Sequence, residues 1–450
     1  MGRRGRFDGS LVAIGVVALV GLAWRVGYTI DQFRGDHQLF DEGDAVAYST
    51  TAHNTARGHW FEHAFYGTHF ADHPPLTVAS LVPTGWLFPD SVMAQRYTFC
   101  LLGAVAIVLI GLLARSLAGP VAGVAAAVVA AANPNLWMND AVIMSESIST
   151  VLIAGLLWAC VGLRRAPTLP RACLVGALCG LTILARAEIG LFLPLLIIPA
   201  IVLGGELRRR DRILRAGAAV LMAALVVAPW TLWNTAEFDE PVLISTNDGT
   251  TLLGANCPRT YSGSTIGSWS IQCVVEFNDA AGTEERHLDA SEVSTEQRHE
   301  GVAYIRDNLG RVPKVVYARL GRTFGWWEIG QQVYINQGEG RPKWASWAGY
   351  WSFWALIPVS IAGAVALRRR RADLLPAAAT LVTVVLVSAA FYGISRFRLP
   401  LDVMTCVLAG AAVSALVERR RAARSGAADP DEPRTDPEVS GTPASAATVP

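Results

Sequence analysis

The residues best suited to chemistry lie in one polar segment near the start of the chain, residues 31–93. Within residues 31–90, eight acids stand against two bases: Asp31, Asp36, Asp41, Glu42, Asp44, Glu62, Asp72 and Asp90 against Arg34 and Arg57. Six of the eight histidines are also here: His37, His53, His59, His63, His69 and His73. A carboxylate held beside a hydroxyl can take its proton as a general base. The segment therefore predicts a site for hydroxyl groups or a cation, and not one for anionic lipid headgroups.

Arginine is the second residue type that could take part in the chemistry. It supplies nearly all of the positive charge, because only Lys314 and Lys343 among the 38 basic residues are lysine. Its planar fork can bind two phosphate oxygens at once. Arg396 and Arg398 stand just before Pro400, at the start of the last apolar stretch. On a helix they would point about 200° apart, but Pro400 favours an extended chain before it, which would direct both toward one phosphate. We expect Arg398→Lys to impair phosphate binding more than Arg396→Lys, unless either side chain only snorkels to the interface.

The composition indicates that the chain is a membrane protein, so that membrane helices would position these residues. Hydrophobic residues make up 52% of the 450 residues and charged residues 17%, with a mean hydropathy of +0.35. A soluble chain carries about 25% charge, and about 20 apolar residues cross a bilayer. Ten spans are predicted, at residues 10–30, 94–114, 120–138, 142–163, 172–185, 188–205, 212–232, 346–367, 374–393 and 398–417. This excludes a cytosolic enzyme, a coiled coil, collagen and a chain that is disordered throughout.

The placement of arginine predicts the orientation and the domain organisation. Arginine-rich loops face the cytoplasm under the positive-inside rule, which puts both termini inside and residues 31–93 and 233–345 outside. Four parts are expected: a membrane module 1–232 that carries loop 31–93, an extracytoplasmic segment 233–345, membrane helices 346–417, and a mostly disordered cytoplasmic tail 418–450. The apolar stretch 74–89 contains several prolines and is predicted to be interfacial or re-entrant.

Cysteine placement agrees with this layout. Five of the seven cysteines fall in predicted spans, where a buried thiol behaves as a small hydrophobic group. Cys257 and Cys273 form the only pair in a soluble segment, and that segment faces an oxidising compartment in the predicted topology. A disulfide between them is expected.

Short motifs in order along residues 10–417 resemble those of the GT-C superfamily of membrane glycosyltransferases, above all its protein O-mannosyltransferase and aminoarabinose transferase branch. They are Asp44 with Tyr48 four residues later, Ala52 and Gly58, His73-Pro74-Pro75, Met144-Ser145-Glu146, Ala185-Arg186-Ala187-Glu188, and Ser395-Arg396-Phe397-Arg398-Leu399-Pro400. The sequence departs from the aminoarabinose transferase pattern in having Asp41-Glu42 before Asp44. It therefore leaves open which acid of this loop is the base.

The resemblance implies an all-α polytopic fold and transfer of a sugar from a polyprenyl-phosphate donor at the outer face of the plasma membrane. The acceptor would be a glycan, a lipoglycan or a protein, with no role for nucleic acid. Asp44 is expected to be the base of an inverting displacement, with Asp41 and Glu146 as further carboxylates. Substrate binding is assigned to Tyr48, His73, Arg186, Arg396 and Arg398.

Other interpretations of these residues remain open. Asp44 could only cap a helix, and Arg186 with Glu188 could be an ion pair that braces two short helices. His59 and His63 have the spacing of some zinc ligands, but nothing completes a metal signature, so no metal site is assigned and a divalent ion stays possible. A transporter or flippase for lipid-linked sugars is the main alternative function, and a non-catalytic scaffold is a further one.

Overall fold

The described residues form a bundle of helices. The computed structural model describes residues 8–33, 43–62, 68–205 and 207–424. In chain order the helices are α1 (Gly9–Gln32), α2 (Asp44–Ala56), α3 (Leu76–Leu87), α4 (Val92–Ala118), α5 (Pro120–Ala132), α6 (Pro134–Trp137), α7 (Glu146–Arg165), α8 (Leu169–Ala185), α9 (Ile198–Val202), α10 (Arg209–Glu237), α11 (Asn247–Ala255), α12 (Ile271–Ala281), α13 (Ala290–Asp307), α14 (Val312–Phe324), α15 (Ile329–Gly338), α16 (Lys343–Arg369), α17 (Leu375–Ala390) and α18 (Leu399–Arg424). Within these ranges the only β pairing is one isolated bridge, between Glu62 and His69.

Several helices are long and apolar enough to cross a bilayer, so the chain is a multi-pass membrane protein. Among the described residues six helices meet this description, or seven if α5 and the bent segment after it count as one span. The remaining predicted spans correspond to shorter apolar helices, namely α8, the stretch Ala187–Val202 and α17. The predicted all-α polytopic fold is confirmed, whereas the count of ten spans stays a prediction.

Local sequence explains where the membrane helices break. Gly119 ends α4 with a positive φ of 89°, which glycine adopts without a steric cost, and Pro120 then begins α5. The chain bends by 59° between α5 and the segment Pro134–Ala141. Pro134 cannot continue the preceding helix, and the Asn133 side chain accepts a hydrogen bond from the backbone N–H of Asn135 at 3.0 Å. The predicted span 120–138 is therefore kinked.

Close contacts between small residues hold the bundle together. Gly176 of α8 lies against the backbone of Ala219 on α10, and Gly363 of α16 lies against the Leu408 carbonyl on α18, so that a Cβ at either glycine would clash. Membrane helices commonly pack through such residues because backbones can then approach closely. The largest cluster of buried apolar side chains joins α1, α4, α5, α7, α8 and α18.

Several predicted boundaries need correction. The span predicted from residue 142 begins as a helix only at Glu146, and the last helix continues to Arg424, beyond the predicted end at 417. The stretch 74–89 contains the short apolar helix α3, and its interfacial or re-entrant placement stays a prediction. Asp41, Glu42, His63 and the tail beyond Arg424 lie outside the described residues.

The predicted extracytoplasmic segment folds into helices α11–α15, and a disulfide joins Cys257, just after α11, to Cys273 in α12. The two cysteines are 16 residues apart and both are buried. The bond therefore ties the end of α11 to the start of α12.

Removing this disulfide should destabilise the segment. Closing a loop of this length contributes about 3 kcal/mol in the chain-entropy description, so the Cys257→Ser, Cys273→Ser double variant should unfold at a lower temperature. Cys173→Ser, which removes a partly buried free thiol of α8, is the control and should leave the unfolding temperature nearly unchanged. Non-reducing peptide mapping should show the two peptides linked; two thiols that alkylate freely in native membranes would contradict the bond.

Candidate active site

Asp44 is the first residue of α2 and projects into a cavity. Gly43, with a positive φ of 98°, is the N-cap residue, so Asp44 does not serve as the cap itself. A carboxylate in the first turn of a helix is favoured by the helix dipole. Its side chain is 38% exposed, which leaves room for a substrate group. Tyr48 lies one helical turn later on the same face and is buried.

His73 holds one oxygen of Asp44. Its Nε2 lies 3.3 Å from Oδ1 of Asp44, and its ring packs against Tyr48 with centroids 4.9 Å apart. Burial alone would raise the pKa of Asp44, but the charges of His73 and Arg396 outweigh it and hold that pKa below its usual range. Burial likewise lowers the pKa of His73, and Asp44 overcomes this and raises it. At neutral pH Asp44 is therefore an anion that is partly neutralised by its neighbours.

Arg396 connects Asp44 to two glutamates. Its Nη1 lies 2.8 Å from Oε1 of Glu339 and 3.7 Å from Oδ2 of Asp44, and its Nε contacts Glu146. These contacts engage Nε and Nη1, while Nη2 donates no hydrogen bond to another described residue. Arg396 thus presents a fixed, partly uncommitted cation beside the carboxylate of Asp44.

Glu146 begins α7 and lies beneath the arginines. Its side chain is fully buried, and one oxygen is approached by Arg396, by Arg186 at 3.5 Å and by Arg341 at 3.9 Å. Arg186 also donates to Glu188 at 2.6 Å, so the predicted ion pair is present and is part of a larger network. Glu146 does not line the cavity into which Asp44 projects, and its position suits a group that orients the arginines.

Arg398 points away from this network, and the predicted extended chain before Pro400 is wrong. Residues Ser395–Arg398 form a turn of 3₁₀ helix that leads directly into α18. Arg398 is buried, and its Nε lies 3.2 Å from Oδ1 of Asp402, one helical turn later. Its Cζ lies 3.7 Å from the ring centroid of Phe353. The turn separates the two arginines, so only Arg396 reaches the site, and a phosphate contact for Arg398 has no support in the geometry.

Two cavities meet at Asp44. The first, called here the arginine cavity, encloses about 190 Å³. Its wall consists of Asp44, Tyr48, His73, Pro74, Ser145, Ala185, Arg186, Ala187, Glu188, Ser245, Asn247, Asp248, Thr251, Phe391, Tyr392, Ile394, Arg396 and Phe397. The second, called the amide cavity, encloses about 840 Å³ and extends between α11, α12, α13 and α15. Asp44, His73 and Arg396 belong to both walls, so a group in either cavity can reach the carboxylate.

Sequence reasoning missed Glu339 and Arg341. They contact each other, and Nε of Arg341 donates to Oδ1 of Asn139 at 2.7 Å, which links the site to the bent segment after α5. Arg341 is almost completely buried although arginine is costly to bury without a partner. A signal was available in the sequence, because an acid and a base stand between Gly338 and Pro342 at the entry to a predicted span.

The described residues hold no group of three His, Cys, Asp or Glu side chains that could bind a metal ion. His59, one of the two histidines with zinc-like spacing, is exposed and lies 3.1 Å from Glu62. His63 is outside the described residues.

The chain shares its fold with a solved oligosaccharyltransferase, and part of it matches a mannosyltransferase family model, in agreement with the resemblance seen in the motifs. Residues 72–233 match the family model described as dolichyl-phosphate-mannose-protein mannosyltransferase. The matched segment begins beside His73 and includes Glu146 and Arg186. No curated protein sequence matches the chain.

Structures of one archaeal oligosaccharyltransferase share this fold at low sequence identity, and ArnT is a weaker structural match. The oligosaccharyltransferase of Archaeoglobus fulgidus in complex with Zn and sulfate superposes with a TM-score of 0.55 and 17% identity, over 91% of this chain and 49% of that one. The apo form of the same protein superposes with a TM-score of 0.53 and 17% identity, over 92% of this chain and 51% of that one. ArnT from Cupriavidus metallidurans bound to undecaprenyl phosphate superposes with a TM-score of 0.40 and 15% identity, over 93% of this chain and 80% of that one. The chain spans about half the length of the oligosaccharyltransferase.

Proposed function

We propose that the protein transfers a sugar from a polyprenyl-phosphate donor to an acceptor hydroxyl. The observation that carries the proposal is the position of Asp44, an anionic carboxylate at the junction of two cavities with the guanidinium of Arg396 3.7 Å away. A base and a phosphate-binding cation are the two groups that this reaction needs at the same point.

The arginine cavity is the proposed donor site. Arg186 and Arg396 supply positive charge. The aromatic side chains that follow α17 and precede α18 supply an apolar wall, namely Phe391, Tyr392 and Phe397. A lipid phosphate combines these two properties, a dianionic or monoanionic head and an apolar chain. The name of the matching family, which acts with dolichyl-phosphate-mannose, agrees with this class of donor.

The proposed chemistry is one displacement at the anomeric carbon. The acceptor oxygen attacks that carbon while Asp44 takes its proton, and the bond from the anomeric carbon to the phosphate oxygen breaks. The electron pair of that bond leaves with the polyprenyl phosphate, whose growing charge Arg396 and Arg186 stabilise. Because one carbon is attacked from the face opposite the leaving group, the configuration inverts.

The other charged groups of the site position Asp44 and Arg396. His73 holds Oδ1 of Asp44, which turns the carboxylate toward the junction. Glu146 and Glu339 fix Arg396 from below, and Arg341 in turn contacts both glutamates. Fixed dipoles and charges of this kind need not reorganise during the reaction, which is the main source of electrostatic catalysis.

In the orientation given by the positive-inside rule, this site faces the outer side of the plasma membrane and both termini are cytoplasmic. The sugar is a hexose or a pentose. Asp41, which also belongs to this loop, is kept as the alternative base.

The proposal is tested with the purified protein in liposomes that contain radiolabelled polyprenyl-phosphate sugars. We expect release of unglycosylated polyprenyl phosphate together with a labelled product when an acceptor fraction from the cell envelope is added. A flippase would move the intact donor between leaflets without cleaving it. Movement without cleavage would overturn the transferase proposal and establish the transport alternative.

A further inference from the structure

The wall of the amide cavity is almost free of charge. Its acidic and basic side chains are Asp44, His73 and Arg396, which also line the arginine cavity, and Asp72 and Glu339 beside them. Of these, Glu339 is already paired with Arg396, and Asp72 accepts from the hydroxyl of Thr246 at 3.2 Å. Apart from these side chains the wall carries no Lys, Arg, Asp or Glu among the described residues.

Amides and hydroxyls take the place of charges. Thr250 of α11 donates to Oε1 of Gln297 on α13 at 2.8 Å, and Nε2 of Gln297 donates to Oδ1 of Asn278 on α12 at 2.9 Å. The chain of bonds holds three helices in register and fixes which atoms face the cavity. Amide and hydroxyl groups each offer a donor and an acceptor, and a sugar hydroxyl is likewise both.

Aromatic surface is present as well. Trp269 lines the cavity, and its Nε1 donates to the Thr250 carbonyl at 3.1 Å, which fixes the plane of the indole. Tyr334 of α15 also lines it and is 78% exposed, so its ring is available to a ligand. Rings of this kind give apolar contact together with a polar tip.

We propose that the amide cavity is the acceptor site and that it takes a neutral oligosaccharide. This inference rests on the proposed function, because the acceptor hydroxyl must reach Asp44, which lines both cavities. A cavity of about 840 Å³ lined by neutral donors and acceptors fits several linked sugar rings. An anionic glycan or lipid would need further cations, because Arg396, the one arginine in this wall, is assigned to the donor phosphate in the proposed function. Strand addition, one way in which an extended peptide binds, is not offered by the described residues, which form no strand.

The test measures binding first and transfer second. The full-length protein in nanodiscs is titrated with short neutral mannose, arabinose and glucose oligosaccharides, with a uronic-acid oligosaccharide of equal length, and with a peptide rich in serine and threonine. We expect the tightest binding for a neutral oligosaccharide, accompanied by a change in tryptophan fluorescence. Tyr334→Ala should weaken that binding about tenfold, which corresponds to one lost aromatic contact. Tyr317→Ala, at an exposed tyrosine of α14 outside both cavities, should leave it unchanged.

The outcomes distinguish failure of the acceptor-site inference from failure of the proposed transferase function. Tightest binding to the peptide or to the acidic oligosaccharide, or equal binding by the Tyr334→Ala variant, overturns the neutral-glycan acceptor. Donor cleavage that proceeds with the peptide alone also overturns it and leaves the transferase function standing. Neutral oligosaccharide binding without any donor cleavage supports the binding site and overturns the transferase. Asp44→Asn should abolish cleavage but retain oligosaccharide binding, and loss of both would contradict separate roles for the carboxylate and the amide cavity.

Discussion

Replacing Asp44 by Asn should lower sugar transfer by at least about 100-fold, the usual scale for loss of a general base. Asparagine keeps the size of the side chain and can still contact His73 and Arg396, but it cannot accept the proton of the acceptor hydroxyl. The change should appear in kcat measured with saturating donor and acceptor. Donor binding should survive, because the arginine cavity keeps Arg186 and Arg396.

The matched control is Asp90→Asn, at an exposed acid of the same polar segment that pairs with Arg57 and lines neither cavity. It should transfer sugar at the wild-type rate. Asp41→Asn tests the alternative base. If Asp41→Asn abolishes transfer and Asp44→Asn does not, Asp44 is not the base, and its place at the junction serves only to position Arg396.

The acidic part of the site could be predicted from the sequence because its members are close together in the chain. Asp44 and Tyr48 are one helical turn apart, and His73 follows next to two prolines that fix its backbone. Such spacings are local, and a local pattern is what a single sequence reveals. The structure brings these three side chains together as the motif suggests.

The arginine network could not be predicted in the same way. Arg396 is 250 residues from Glu146, and Arg341 is 202 residues from Asn139, so only tertiary packing determines which acid meets which base. The failure at Arg398 has a different cause. Proline disfavours a helical residue before it, but Leu399 is nevertheless helical, since Pro400 occupies the first turn of α18, where proline is tolerated.

The charge arrangement is also compatible with the proposed donor phosphate, which would lie next to several acids. Three arginines (Arg186, Arg341 and Arg396) surround Glu146, and their remaining acidic partners are partly exposed at the cavity side: Asp44, Glu188 and Glu339. Buried charges are stable only when they are paired. The network therefore holds arginine at a depth where an isolated cation would be costly, and it keeps part of that charge available to a ligand.

Arg396→Lys should reduce kcat/KM for the donor by about 10- to 100-fold, the scale of one or two lost hydrogen bonds to a charged group. Lysine retains the positive charge but is a point charge without the planar fork. Its three N–H donors radiate from one nitrogen, so they cannot reproduce the separated, coplanar Nε, Nη1 and Nη2 donors of Arg396 toward Glu146, Glu339 and a phosphate oxygen. The loss should therefore appear with donor as the varied substrate and should be small for acceptor binding.

Arg398→Lys is the matched comparison, two residues further along the same turn. It should leave donor kinetics unchanged and lower the unfolding temperature, because it weakens a buried contact with Asp402 and removes the guanidinium from the ring of Phe353. The structure thus reverses the order of effects expected from the sequence. A larger loss of donor use in Arg398→Lys than in Arg396→Lys, with both proteins folded, would mean that the turn Ser395–Arg398 rearranges when the donor binds and that Arg398 is the arginine that holds the phosphate.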